Sequence, residues 1–213
     1  RGTGRLAREI ADGLFPALKI VGITRHQLLQ DARVPCTKKN SAACISLKGD
    51  DRDIAKLADQ ISRFMLDDFQ QGSDPGLCVA REVPAPVMAY GAGAKRALLS
   101  PDDAHHLAGR HHITLRGLGG DHSGVIGALA AVGLAAQGDD GRYIRVGSVR
   151  QLQGLLTIEQ ILEAGVHAVK TLDGSPVIDG SVLAGKLRPA RREKQPVLFV
   201  EREKDYWVPL KLD

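Results

Sequence analysis

The segment GLGGDHSGVIGALAAVGLA, residues 117–135, joins a charged glycine loop directly to an apolar, alanine-rich run. HHITLRGL (111–118) precedes it and has the β-branched, alternating character of a strand, so the unit reads as strand, glycine loop, helix N-terminus. The helix is expected from Ser123 to Ala136 and belongs to the core. Gly127, Ala128, Ala130, Ala131 and Gly133 would let it lie close against a sheet. The first N–H groups of a helix lack intrahelical partners, and with the macrodipole they form an anion site. Gly119, Gly120 and Gly124 allow close backbone approach and positive φ. Ser123 can cap the helix or contact an oxygen, Asp121 can hold a metal ion, and His122 can donate to phosphate or shuttle a proton. No Gly-Lys-Ser/Thr follows, so this is not a P-loop. The glycine spacing and downstream acid of a dinucleotide fingerprint are also absent. A tight turn with small residues chosen for packing explains the same residues without a ligand.

Outward from this unit, the chain alternates helices and strands. GRLAREIADGL (4–14) places Leu6, Ile10 and Leu14 on one helix face. Residues 18–29 read as a strand followed by a turn, and 41–49 as a buried strand closed by Gly49. Residues 51–69 are the clearest helix, with Ile54, Leu57, Ile61, Met65 and Leu66 as its stripe and acids in its first turn. QQGSDPG is a loop, LCVARE (77–82) a short strand, and Val87 to Leu99 a helix. Ser100-Pro101-Asp102-Asp103 starts a further helix, which ends near Gly109. QGDDGR (137–142) is a turn and a boundary. Beyond it, Thr157 caps a helix that Gly165 stops. HAVKTL, SPVIDG, QPVLFVERE and DYWVPLKLD are short strands between Gly, Pro and Asp turns.

The 213 residues, 43% hydrophobic and only 4% aromatic, describe a globular chain whose core rests on Leu, Val, Ile and Ala. The net charge of +4 favours anionic ligands such as phosphates but is too weak to demand nucleic acid. Cys36, Cys44 and Cys78 form no C-x-x-C pair, which excludes a zinc ribbon within this chain. Their odd number argues for reduced thiols and a cytoplasmic protein. No apolar run reaches the length of a membrane span.

Other segments invite chemistry. PCTKKNSA (35–42) sets Lys38, Lys39 and Asn40 before a strand, where they can reach over its end to neutralise phosphate or form a solvated turn. RGTG (1–4) places glycines, the Thr3 hydroxyl and Arg1 or Arg5 before a helix. His105-His106 and His111-His112 raise a zinc reading, although no carboxylate stands at a zinc-site spacing. RPARREK (188–194) is either a solvated turn between strands or an RNA contact, with no interleaved aromatic for base stacking.

Several of these pieces line up, in order, with one family. SGVIGALAAVGL resembles the GLIGALAAVG segment of archaeal tRNA-Ile agmatinylcytidine synthetases. DPGLCVA (74–80) resembles that family's NPG and apolar strand, PCTKKNSAAC its Pro, basic residues and Asn, and RGTGRLA its opening segment. The resemblance covers about residues 1–140 and points to the family's N-terminal kinase-like, ATP-binding domain. It implies use of ATP with Mg²⁺ and a phosphorylated threonine at Thr3. It also implies a nucleotide contacted by Gly4, Lys38, Lys39 and Asn40 and by the 117–124 loop. The family's Gly-Ile-Asp-Asp-Thr-Asp strand, whose acids hold Mg²⁺, would fall before Arg1. Its RNA-binding domains, including a zinc ribbon, have no counterpart in these residues.

The expected fold is α+β: a mixed β-sheet with packed helices (1–140) and a small β-rich C-terminal region (141–213). The expected function is ATP- and Mg²⁺-dependent activation or phosphorylation of a small molecule or RNA. The phosphates would lie across Gly119, Gly120, Ser123 and Gly124, with Lys38, Lys39 and Arg116 as counter-charges, and Thr3, Asp121 and His122 would be catalytic. The alternative is a nucleotide- or RNA-binding module without catalysis, whose β-rich tail mediates assembly into a homo-oligomer.

Overall fold

A computed structural model describes residues 2–14, 19–34, 40–48, 53–67 and 69–212. Arg1, Lys38 and Lys39 lie outside the described residues. Six helices and a curled, mixed nine-stranded sheet among the described residues give the α+β fold that the pattern of elements implies.

Strands β1 (Lys19–Gln27) and β2 (Ser41–Lys48) pair antiparallel. The other edge of β1 takes β5 (Arg142–Arg145), and β9 (Ala190–Arg192) follows it. The sheet then continues through β10 (Gln195–Glu203), β11 (Tyr206–Pro209), β8 (Ser181–Ala184) and β6 (Gly154–Thr157). Strand β7 (Ala168–Lys170) joins β10 in parallel. A separate hairpin-like pair, β3 (Gly76–Val79) and β4 (Thr114–Gly117), carries the glycine loop at its end.

The alternation of β1 and β2 divides the N-terminal core between two sheet faces. On one face α1 (Thr3–Leu14) buries Ala7 and Ala11 against Ile23 and Ile144. Next to α1, α2 (Ile54–Asp67) buries Ala58, Ile61, Ser62 and Met65. Leu66 leaves the expected stripe and is 46% exposed, because the buried face runs through Ala58 instead. On the opposite face α5 (Gly124–Gln137) packs Ala130, Ala131 and Leu134 over Leu28 and Ala42. Each fully buried Val or Leu of this helix contributes about 1.5–3 kcal/mol relative to exposure. Small residues set how close its neighbour can come. A Cβ on Gly133 would sit 2.2 Å from the Val87 carbonyl oxygen of α3 (Ala85–Gly93).

Local rules fix several boundaries. Helix α4 (Pro101–Arg110) has the expected Ser100 cap, completed by Asp103 into a capping box. Thr157 and Gln160 do the same for α6 (Ile158–Glu163), and Gly165 ends it at φ +112°. Other boundaries depend on tertiary partners. The helix expected to reach Leu99 stops at Gly93, because the Ala94 carbonyl accepts from Leu29 N–H at 3.0 Å and Lys95 turns toward Asp140. SPVIDG is not a strand and makes only a bridge from Pro176 to Lys170. The basic run at 188–194 supplies β9 and the turn into β10, and its Arg191 is buried. That guanidinium donates to the Ala135 carbonyl through Nε (3.0 Å) and Nη2 (2.7 Å), placing a cation where the helix dipole of α5 favours one.

The β-rich part has its own apolar cluster, from Val149 to Val200, with Ile161, Val182 and Leu198 at its centre. The clusters under α1, α2 and α5 draw only on residues up to Ile144, while the β1–β5 pairing runs one sheet through both parts.

Candidate functional site

The glycine loop is closed from below by Asp74-Pro75-Gly76. Leu118 N–H donates to the Pro75 carbonyl at 2.8 Å, and a Cβ on Gly124 would lie 2.0 Å from the Asp74 carbonyl oxygen. Gly120 adopts φ +65° with the Asp74 side chain against it. The two segments therefore touch backbone to backbone, and only glycine fits at 124.

This closure decides what faces the N-terminus of α5. Ser123 does not cap the helix: it is itself helical, and its hydroxyl donates to Asp74 Oδ2 at 2.5 Å. Ser123 N–H donates to Asp121 Oδ1 at 3.0 Å, and the Gly124 backbone also bonds the Asp74 carboxylate. Two carboxylates thus occupy donors that an isolated helix start would offer to a phosphate. They also face each other. Burial and the neighbouring Asp121 push Asp74 above the ordinary carboxylate range. The bond from Asp74 and the Ser123 N–H hold Asp121 down at about 2. Asp74 Oδ1 is shut off from solvent and receives no hydrogen bond from a donor.

The remaining expected residues fall as follows. His122 is exposed at φ +66°, with its Cβ side packed on Gly117. Gly119 lies on the Phe69 ring. Arg116 points to α2, where it donates to Asp59 Oδ1 at 2.7 Å and Ser62 Oγ at 3.3 Å. Asn40 clamps the connection before β2: its Nδ2 donates to the Leu29 carbonyl at 3.0 Å, and its own carbonyl accepts from Leu28 N–H at 3.0 Å. Thr3 is exposed at the start of α1, and Gly4 sits over Ile144 with its carbonyl accepting from Arg8 at 2.8 Å. The structure thus brings Asp121, His122, Ser123, Gly119, Gly120 and Gly124 together around Asp74. Thr3 and Gly4 lie on the α1 face of the sheet, opposite α5.

Asp74 is the residue that reading the sequence missed, although its Asp-Pro-Gly was in view. A second missed group lies in the sheet. Thr24 Oγ1 and His26 Nε2 are 2.8 Å apart, and His26 Nδ1 is 2.9 Å from Asp140 Oδ1, whose other oxygen meets Lys95. The order Thr-His-Asp suggests a nucleophilic triad, but Thr24 and His26 are 0% exposed, so no substrate reaches them. Burial lowers His26 below its ordinary value, and the neutral ring is a structural tie. The histidine pairs gather no ligand set: among the described residues, no three His, Cys, Asp or Glu side chains group to hold a metal. Among the described residues, no helix is long and apolar enough to cross a membrane.

No protein-family model matches the chain, and no curated protein matches it. Solved structures that share its fold over part of the chain include two tRNA enzymes. A ligand-free tRNAIle2 agmatidine synthetase, TiaS, superposes with a TM-score of 0.52 at 24% identity, over 62% of this chain and 31% of that one. A tRNA fluorescent labelling enzyme gives 0.53 at 24% identity, over 62% and 32%. The chain therefore spans about a third of the length of either enzyme, and the likeness is one of fold.

Proposed function

We propose that residues 1–140 form a cytoplasmic, ATP- and Mg²⁺-dependent domain of the kinase-like or ligase-like kind. It activates or phosphorylates an RNA or small-molecule substrate, as a relative of tRNA cytidine agmatinylation enzymes. The carrying observation is the corner where the carboxyl of Asp74, its Oδ1 out of solvent and without a hydrogen-bond partner, meets Asp121 at the start of α5. Two facing carboxylates call for a proton or a hard cation. Mg²⁺ needs only one or two carboxylates when phosphates complete its shell. Asp74 and Asp121 fit that demand and would hold the ion, which when bound offsets charge on a phosphoryl group. Ser123 holds Asp74 in place through its 2.5 Å bond. His122, exposed beside them, would move a proton at a substrate hydroxyl. Thr3, exposed at the start of α1 on the face of the sheet opposite α5, is a phosphate acceptor by the family resemblance alone, and Lys38 and Lys39 would add counter-charge. The fold shared with two tRNA enzymes supports RNA as the substrate.

Calorimetric titration with ATP, with and without Mg²⁺, tests this reading. Binding that requires Mg²⁺ and weakens at least tenfold in Asp74→Asn/Asp121→Asn supports it; absence of Mg²⁺-dependent binding by the intact chain sinks it. A second reading, nucleotide or RNA binding without catalysis, is favoured by the filled donors at the start of α5. It predicts binding with no loss of ATP.

A further inference from the structure

The end of α2 leaves two large apolar side chains in solvent beside the glycine loop. Leu66 is 46% exposed and Phe69 40%. A turn joins them, in which Phe69 N–H donates to the Leu66 carbonyl at 3.0 Å. Exposed apolar residues are ordinary when scattered. Phe69 differs because the loop makes room for it. A Cβ on Gly119 would lie 2.4 Å from Phe69 Cε2 and 2.9 Å from Cζ. Gly119 is not among the glycines with positive φ, so its backbone would admit a side chain, and the ring is what excludes one. The ring therefore rests along one edge on loop backbone and stays open to solvent elsewhere. The next residue, Gly120, has Asp74 against it in the same way, with Asp74 Cβ and Cγ 3.0 Å from where its own Cβ would be. Adjacent Cα atoms are about 3.8 Å apart. An exposed aromatic ring and the carboxylate corner thus flank consecutive residues of one loop.

We infer that Phe69 is the platform on which the base of the bound nucleotide stacks, with the phosphates at the Asp74–Asp121 corner. The inference rests on the nucleotide reading of that corner and assigns the other end of the same ligand. A nucleobase is flat and presents a π-face, which a phenyl ring matches. A phosphate gains nothing from the ring face, whose quadrupole is negative. Stacking of this kind tolerates any base, since every base has a π-face. Phe69 therefore separates a nucleotide from a base-free polyphosphate and does not separate one base from another. Leu66 extends the apolar surface beside it.

The test titrates the full chain with ATP, UTP and inorganic tripolyphosphate, each with Mg²⁺, by calorimetry. Phe69→Ala, Phe69→Tyr and Asp74→Asn/Asp121→Asn are compared with the parent. Leu155→Ala, an exposed position in the β-rich part, is the control, and thermal melts confirm folding. Phe69→Ala should bind ATP and UTP about tenfold or more weakly, the worth of one base on an aromatic ring. It should bind tripolyphosphate as the parent does. Phe69→Tyr should keep ATP binding, and the carboxylate variant should lose all three ligands. Phe69→Trp adds a second indole to the chain's single tryptophan, Trp207, and its emission should be quenched by ATP and not by tripolyphosphate. Unchanged ATP binding in Phe69→Ala overturns the inference and leaves the corner standing. So does equal loss of ATP and tripolyphosphate, which would make Phe69 a support of the loop. A parent that binds none of the three ligands sinks the nucleotide reading itself, and the inference with it.

Discussion

The start of α5 and the α1 face of the same sheet carry opposite charge. At the first, a glycine loop that has the outward form of a phosphate cradle is filled by Asp74 and Asp121. At the second, no loop motif exists, yet Arg188 sits among four other arginines. The contrast shows that a helix N-terminus states only an available field. Which charge answers it depends on what the fold packs in front, here Asp-Pro-Gly from the connection between α2 and β3.

Perturbations should separate the two regions. The largest effect is expected from Gly124→Ala. Its Cβ would meet the Asp74 carbonyl at 2.0 Å, so the closure must open, at a cost of about 3 kcal/mol or more. A melt in denaturant measures it. Asp140→Ala comes next, at about 2–3 kcal/mol, because it leaves buried His26 and its neighbour Lys95 without their shared carboxylate. Strand β1 is shared by both faces of the sheet, so loosening its His26 tie should weaken both regions together.

The same contrast explains what could be read in the sequence. Helix starts at Ser100 and Thr157 were legible because a capping box is local. Strand β10 was legible as a nine-residue β-rich run. Strands β8 and β9 were not, since Ser181–Ala184 and Ala190–Arg192 are strands only through their partners. The glycine loop was visible, but its occupant came from a segment 49 residues away. The pairing of Arg25 with Arg142 had no linear signal, because β1 and β5 meet only in the folded sheet.

Two smaller effects sharpen the picture through pH. His26 is lowered from 6.5 by burial, so the unfolded chain binds the proton first. Stability should therefore fall as pH drops below about 6.5, and denaturant melts from pH 7.5 to 5 should show it. At the carboxylate corner the two signs differ. Asp74, raised, should add stability as pH falls through its folded value. Asp121, lowered to about 2, contributes stability above its ordinary range that is lost only as pH approaches 2. Asp74→Asn supplies a permanent donor to Asp121. It should stabilise the chain at pH 7 by about 0.5–1 kcal/mol, the net worth of one hydrogen bond, and remove the gain on the acid side. A destabilised Asp74→Asn would mean that the pair is already satisfied.

The most direct measurement is a crossed titration. The parent, Asp74→Asn/Asp121→Asn and, as a control on the α1 face, Arg150→Ala/Arg188→Ala are each titrated with ATP, with and without Mg²⁺. The account predicts Mg²⁺-dependent binding that the carboxylate variant loses and the arginine variant keeps. Loss in both variants, or in neither, would contradict a nucleotide site at the carboxylate corner.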